Sequence, residues 1–252
     1  MKPHTSYIIC AVQRSGSSLL CEALNNTGLA GHPEEYFLDG QGWEDGDWAR
    51  HNNVSTRSDY LRLVFDKGTS PNGVFGVKVM WNYFHIMIEK LTELPGYQDL
   101  PAPQIMESLF PNVHFLWMVR RDKVRQAVSW ARAAQTDVYA WHQGKRPIPK
   151  QEPSFDFTFI DNLHILILQG EAGWQSFFSA CGKKPIKVIY EDFVEDYEGT
   201  ALKILDSLSI PYPSDLQFGE RTLQKQADAL NNSWVEQYLA LKKHKDPDGY
   251  LV

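Results

Sequence analysis

Residues 7–20 read YIICAVQRSGSSLL, and this stretch predicts how the fold begins. Residues 7–12 are apolar and β-prone, which is typical of a buried strand. Residues 13–18 form a polar turn around one glycine, and residues 18–27 carry leucine and alanine at helical spacing until Gly28 ends the pattern. A strand, a tight turn and a helix in this order indicate the opening unit of a parallel sheet.

The rest of the chain alternates between strand patterns and helix patterns. Strands are predicted at residues 73–80, 113–119 and 186–190, each a short apolar run suited to a buried parallel strand. Helices are predicted at residues 84–91, 123–139, 159–180 and 200–208, with a short one near 58–65 and a polar one in the tail after about residue 223. The alternation predicts an α/β fold whose parallel sheet is doubly wound or P-loop-like. The prediction adopted is a P-loop-like parallel sheet flanked by helices, in a single domain over residues 1–252. Two loop excursions, at about residues 38–72 and 139–158, interrupt the alternation.

The composition excludes several classes of function. A net charge of −6 argues against general nucleic-acid binding, which requires a basic surface. The sequence has no run of about 18 apolar residues, so it predicts no membrane span. The chain starts without the long apolar stretch of a signal peptide, which favours a cytoplasmic protein. The three cysteines lack metal-ligand spacing, so we expect no metal site.

The turn at residues 13–18 has the chemistry of an anion site. Backbone N–H groups and the helix N-terminus favour negative charge, and three serine hydroxyls add donors. Gly16 lets the backbone approach a ligand, and Arg14 supplies a cation that can bind two oxygens at once. A nucleoside-triphosphate P-loop instead places a lysine after its last glycine. The alternative interpretation is an ordinary helix start capped by serine.

A second basic cluster follows the strand predicted at residues 113–119. Arg120 and Arg121 come directly after it, at the carboxyl edge where ligands bind in open α/β sheets. The next helix carries Arg125, Ser129, Arg132 and Thr136 at spacings that place them on one face. This face is suited to a second phosphate, although a solvated basic face would have the same pattern.

Five stretches together resemble the sulfotransferases that use 3′-phosphoadenosine 5′-phosphosulfate (PAPS), and more narrowly the bacterial trehalose 2-sulfotransferase family. The stretches are QRSGSSLL (13–20), GHPEEYF (31–37), GVKVMWN (76–82), RRDKVRQAVSWARAAQT (120–136) and QAD (226–228). The resemblance covers nearly the whole chain. It implies that PAPS is the co-substrate, that the protein is an enzyme without a metal, and that it forms a homodimer.

The resemblance also implies a role for individual donor-binding residues. The 5′-phosphosulfate would be bound by the turn residues Gln13, Arg14, Ser15, Gly16, Ser17 and Ser18. The 3′-phosphate would be bound by Ser129 together with Arg120 or Arg121, and both arginines stay open. Tyr190 matches a position near the adenine, and Lys225, just before QAD, would reach the nucleotide.

The catalytic assignments follow from the same resemblance. Many sulfotransferases have a histidine two residues after a lysine, but here Lys78 is followed by Val79 and Met80. Glu35 matches the base proposed for the bacterial family, and a general base is what an attacking alcohol requires. Lys78 would bind a sulfuryl or bridging oxygen, and Arg14 would assist it.

The acceptor is predicted to be a carbohydrate or a glycolipid headgroup. Trp81 and Asn82 offer an aromatic face and an amide suited to a sugar, although Trp81 can equally be a core residue. The two excursions would line the pocket mouth, and their Trp43, Trp48, Tyr139 and Trp141 add aromatic surface. The alternatives are a P-loop-like kinase that requires Mg–ATP and a nucleotide-binding protein without catalysis.

Overall fold

The computed structural model describes residues 3–38, 43–144, 147–224 and 228–245. Within these ranges four parallel strands form one sheet in the order β2-β1-β3-β4. They are β1 (Thr5–Ala11), β2 (Val74–Met80), β3 (Val113–Val119) and β4 (Ile186–Ile189). The predicted P-loop-like parallel sheet in a single domain is therefore confirmed. Because β1 lies inside the sheet, the turn that follows it emerges at the middle of the carboxyl edge.

Helices connect the strands and cover both faces of the sheet. In chain order they are α1 (Ser17–Asn25), α2 (Asp47–His51), α3 (Arg57–Gly68), α4 (Trp81–Thr92), α5 (Ala102–Leu109), α6 (Lys123–Thr136), α7 (Phe157–Cys181), α8 (Tyr190–Glu195), α9 (Tyr197–Ser207) and α10 (Ala229–Lys245). None of the helices in the described part of the chain has both the length and the apolarity needed to cross a bilayer.

Alternate residues of β1 build two separate cores. Ile8 and Cys10 belong to a core shared with α3 to α7 and α10, whereas Tyr7 and Ile9 belong to a core shared with α1, α8 and α9. All seven residues of β1 are buried. A strand covered on both faces has no polar side, which explains the continuous apolar run in its sequence.

The structure differs from the predicted elements at several places. Helix α5, which begins at Ala102, is not among the predicted helices; Pro103 lies in its first turn, a position that proline fits. The tail helix α10 is not simply polar, since it buries Trp234 and Tyr238 in the first core. Tyr190, predicted as the end of the last strand, begins the short helix α8.

Candidate active site

The turn after β1 has the backbone of an anion-binding loop. Arg14 and Gly16 both have positive φ angles, 62° and 97°. Gly16 is the N-cap of α1, and α1 has no side-chain hydrogen bond at this cap. The first N–H groups of an α-helix have no partner within the helix, so those of α1 are available to a ligand. The Ser15 hydroxyl is also buried, with no hydrogen-bond partner among the described residues.

Lys78 lies beside this turn and is ion-paired with Glu35. Its Nζ is 2.6 Å from Glu35 Oε1 and donates a hydrogen bond of 3.0 Å to Ser18 Oγ. The Lys78 side chain is 5% exposed and that of Glu35 is 28% exposed. Burial alone would lower the pKa of Lys78, but the nearby Cys21 and Glu35 outweigh burial and raise it. Lys78 is therefore a buried cation at neutral pH, held between a carboxylate and the turn after β1.

Arg120 and Ser129 form a second cationic subsite. Arg120 is 8% exposed, its Nε has no hydrogen-bond partner among the described residues, and its Nη1 makes a long contact of 3.4 Å with the Arg14 carbonyl. Burial lowers the pKa of Arg120. Arg14 connects the two subsites, because its Nε donates to Ser129 Oγ at 3.1 Å and its Nη1 donates to the Tyr139 carbonyl.

Arg14 itself is a strongly buried cation. Burial and the neighbouring Arg120 lower the pKa of Arg14 to about 10, so it remains charged at neutral pH. Two adjacent arginines repel each other unless an anion compensates their charge. The arrangement thus favours an anionic ligand between the turn and the start of α6.

The other arginines of the predicted basic cluster have protein partners. Arg121 is 55% exposed and forms an ion pair of 2.6 Å with Asp192. It does not line the cleft that runs from Glu35 past the turn and Arg120 to the start of α10. Arg132 binds Asp228 at 2.6 Å and also Asn231, so it fastens the start of α10 to α6 and is not free for a phosphate. The structure therefore distinguishes the two arginines: Arg120 lines the cleft and Arg121 does not.

The remaining basic-face residues also bond within the protein. Arg125 lines the cleft but donates to Asp122 and, at 2.6 Å, to Asn232. Thr136 donates to the Arg132 carbonyl one turn earlier. Of the four residues predicted to share the face, Arg125 and Ser129 line the cleft, and Ser129 accepts a hydrogen bond from Arg14.

The two predicted sugar-binding side chains lie in different surroundings. The Trp81 ring packs against Trp174, with 5.2 Å between ring centroids, and against α7 at Gly173, where a Cβ would lie 2.1 Å from Trp81 Cζ2. Trp81 is thus a core residue, which was the alternative left open by the sequence. Asn82 is exposed and accepts a hydrogen bond from the amide of Gln13.

The aromatic residues of the first excursion are also largely internal. Trp43 is 1% exposed and stacks on Tyr60 with 5.7 Å between ring centroids. Trp48 packs edge-on against the same tyrosine. Tyr139, in the second excursion, is half exposed and lines the cleft. Residues 39–42 and 145–146 of the two excursions lie outside the described residues, as does Lys225.

A cleft of about 920 Å³ is lined by the turn after β1, by Glu35, which is the ion-pair partner of Lys78, and by Arg120 and Ser129. It extends from Glu35 past the turn to Arg120 and onward to the start of α10. Its walls are formed by Gln13, Arg14, Gly16, Ser17, Ser18, Leu19, Glu35, Met80, Arg120, Asp122, Arg125, Ser129, Tyr139, Ala140, Tyr190, Glu191, Val194, Glu195, Arg221, Leu223, Gln224, Asp228, Ala229, Asn231 and Asn232. Within the described ranges no group of three histidine, cysteine or acidic side chains is placed to hold a metal ion.

Two supporting residues were not identified from the sequence. Gln126 is fully buried on α6, and its Nε2 donates to the Gln13 carbonyl at 2.7 Å. Glu22 on α1 accepts from the Thr222 amide, the Thr222 hydroxyl and the Leu223 amide at 2.7–3.0 Å. Both act through tertiary contacts with distant residues, and a single glutamine or glutamate in a helix pattern carries no signal of such contacts.

The Glu22 contacts hold one half of a paired segment over the cleft. The backbone N–H of Gln143 donates to the Thr222 carbonyl, and the backbone N–H of Gln224 donates to the Trp141 carbonyl, both at 2.8 Å. His142 and Leu223 are the bridge partners in this short antiparallel pair. The second predicted excursion therefore begins as part of the cleft wall.

The sequence matches a known protein family and two named relatives. The family model described as Stf0 sulphotransferase matches residues 6–240. The trehalose 2-sulfotransferase of Mycobacterium tuberculosis (strain ATCC 35801 / TMC 107 / Erdman) is 28% identical over 93% of this chain and 94% of that protein. The trehalose 2-sulfotransferase of Mycolicibacterium smegmatis (strain ATCC 700084 / mc(2)155) is 29% identical with the same coverage.

Two solved structures with some similarity to this chain are named as sulfotransferases. A sulfotransferase domain from the curacin biosynthetic pathway has a TM-score of 0.45 and 15% identity, over 92% of this chain and 83% of that one. A sulfotransferase from Alicyclobacillus acidocaldarius has a TM-score of 0.49 and 11% identity, over 97% of this chain and 94% of that one.

Proposed function

We propose that this chain, which belongs to the Stf0 sulphotransferase family, transfers the sulfuryl group of PAPS to a hydroxyl of a carbohydrate or glycolipid acceptor. That the chain is a sulfotransferase enzyme follows from the family. Beyond the family, we propose PAPS as the donor, a carbohydrate or glycolipid as the acceptor, and a role for each residue named below.

The observation that carries the donor assignment is the buried Arg120, whose Nε has no partner among the described residues, in the same cleft as the turn after β1. PAPS has anionic groups at both ends of its ribose, and the cleft has a cationic subsite at both ends. The turn and the N-terminus of α1 would hold the 5′-phosphosulfate. Arg120 and Ser129 would hold the 3′-phosphate, with Arg14 between the two groups.

The proposed donor brings the sulfuryl group, and Glu35 and Lys78 would act on the acceptor and on the transferred group. Glu35 lines the cleft and has a carboxylate that can accept the proton of an attacking hydroxyl. Lys78 would stabilise negative charge on the sulfuryl and bridging oxygens, as would the N–H groups of α1. The Lys78–Glu35 contact places the base and the cation within 2.6 Å of each other at one end of the cleft.

The acceptor class is supported by the two relatives, whose names specify trehalose. In this chain Gln13 lines the cleft and holds Asn82 by a hydrogen bond, so an amide pair is available to sugar hydroxyls near the turn. Trp81 is not included in this proposal because its ring packs in the core. A homodimer remains a prediction from the family resemblance.

Calorimetric titration tests the donor assignment directly. We expect adenosine 3′,5′-bisphosphate to bind at least tenfold more tightly than AMP, because only the bisphosphate reaches Arg120 and Ser129. Mg–ATP serves as the control for a kinase. Tighter binding of Mg–ATP than of the bisphosphate would contradict the proposal and favour the kinase alternative.

Transfer of ³⁵S from labelled PAPS to a panel of acceptors tests the reaction. The panel contains trehalose, maltose, a trehalose glycolipid and phenolic alcohols as the non-carbohydrate control. Glu35→Gln should keep bisphosphate binding and lower turnover at least a hundredfold, in the range attributed to general-base catalysis. Sulfation of the phenols alone would refute the acceptor class, and turnover within a few-fold of the wild type in Glu35→Gln would refute the base.

A further inference from the structure

Tyr190 contacts both anion-binding parts of the cleft. A Cβ placed on Gly16 would lie 2.3 Å from Tyr190 Cδ2 and 2.9 Å from Cε2, so the ring lies directly against the turn after β1. The guanidinium carbon of Arg120 lies 4.8 Å from the centroid of the same ring. One aromatic side chain therefore touches the turn at one subsite and the cation of the other.

The residue after Tyr190 fixes the backbone next to Arg120. The Glu191 carboxylate accepts from the N–H of Arg121 at 2.9 and 3.1 Å and from the N–H of Asp122 at 3.3 Å. The junction of β4 and α8 thus restrains Arg120 twice, through the ring below its guanidinium and through the peptide groups that follow it.

The carboxylates of Glu191 and Asp122 attract Arg120 electrostatically, but neither holds its guanidinium by an ion pair. Among the described residues no carboxylate forms an ion pair with Arg120, and the one hydrogen bond of its guanidinium is the 3.4 Å contact with the Arg14 carbonyl. An arginine side chain has several rotatable bonds, and its planar group stacks well on an aromatic face. The Tyr190 ring is the feature that holds the guanidinium in the cleft.

We propose that Tyr190 is a positioning residue that holds Arg120 in place for a ligand 3′-phosphate and so sets the preference for 3′-phosphorylated nucleotides. The inference rests on the proposed donor. It differs from a simple contact with adenine, because stacking on adenine would strengthen binding of nucleotides with and without a 3′-phosphate equally.

The test is the ratio of two dissociation constants measured by calorimetry, that of AMP divided by that of adenosine 3′,5′-bisphosphate. Any contribution of the ring to adenine binding cancels in this ratio. Tyr190→Leu should lower the ratio about tenfold, the size of a desolvated cation–π contact. Tyr190→Phe keeps the aromatic face and should keep the ratio within twofold of the wild type.

The same substitution in an Arg120→Met variant shows whether Tyr190 affects the ratio by positioning Arg120. In Arg120→Met, the further change Tyr190→Leu should leave the ratio unchanged, because the cation that the ring positions is absent. If Tyr190→Leu does not fold, Tyr190→Met removes the aromatic face with a more flexible side chain of similar volume.

The outcomes distinguish this inference from the proposed function. Equal weakening of both nucleotides in Tyr190→Leu would overturn the inference and leave the donor assignment intact. A ratio near one in the wild-type protein would overturn the donor assignment, and the inference with it.

Discussion

Replacing Lys78 with methionine removes the ion pair with Glu35 but keeps most of the packing of the lysine side chain, so it measures the contribution of the ion pair to stability. Methionine keeps an unbranched apolar chain in the buried space. The change removes the 2.6 Å contact with Glu35 and the 3.0 Å hydrogen bond to Ser18. Breaking a fully buried pair costs about 3–5 kcal/mol, but Glu35 is 28% exposed and can regain water. We therefore expect a loss of about 2 kcal/mol in the free energy of unfolding.

Thermal unfolding and a double-mutant cycle measure this contact. A loss of this size lowers the melting temperature by about 4–8 °C in a chain of this length. Glu35→Gln alone should also destabilise the protein, because it leaves Lys78 charged and buried. The double variant should lose at least about 1 kcal/mol less than the sum of the two single losses. Additive losses would refute the view that Lys78 and Glu35 form an energetically coupled pair.

The pH dependence of the same contact has a definite sign. The neighbours of Lys78 raise its pKa above the ordinary value for lysine, which is about 10.4. A raised pKa means that the stabilisation is complete below the unfolded-state pKa and is lost only as the pH rises through the folded-state pKa. The stability difference between wild type and Lys78→Met should therefore be constant from about pH 6 to pH 9.

Three further predictions concern other residues. Glu22→Ala removes three hydrogen bonds to Thr222 and Leu223, so amide hydrogen exchange at these two residues should rise by at least tenfold while exchange in the sheet stays unchanged. Burial raises the pKa of the Cys21 thiol to about 12, so Cys21 should react with a disulfide reagent at pH 8 only after unfolding; fast labelling at Cys21 itself, located by peptide mass mapping because Cys181 is partly exposed, would contradict its burial. Burial lowers the pKa of His164, so the free energy of unfolding of the wild type should decrease as the pH drops under about 6.5. His164→Asn should make that decrease smaller, and an identical pH profile in the variant would exclude this histidine as a cause.

The strand–turn–helix unit was predictable because its signals are local. A continuous apolar run predicted β1, a polar turn around Gly16 followed, and helical spacing then predicted α1. These features depend on residues close together in the sequence. The predicted resemblance to a sulfotransferase family is likewise confirmed by the family model, which matches residues 6–240. Elements that depend on tertiary packing, such as the buried face of α10, were not recovered.

The site shows the same limit at the level of single residues. Sequence placed Arg120 and Arg121 at the end of β3 but did not decide between them, because one residue of register reverses the direction of a side chain. Arg132 was predicted to share a phosphate-binding face, but its partner is Asp228, and that contact depends on α10 packing against α6. Glu35 was assigned through family resemblance alone, since an isolated glutamate in a loop has no catalytic pattern.

Arg120 lines the cleft, and Lys78 is ion-paired with the cleft residue Glu35. Both are buried cations, but they have different partners. The charge of Lys78 is already balanced by Glu35, so an incoming anion gains less there than at an uncompensated cation. Arg120 has no carboxylate ion pair among the described residues and is held against the neutral ring of Tyr190. Glu191 and Asp122 attract its charge without forming an ion pair, so an anionic ligand can still form one, which makes this end of the cleft suited to selecting a phosphate. The Lys78 end, where a carboxylate and a cation lie in contact, is suited to moving a proton while charge shifts between oxygens.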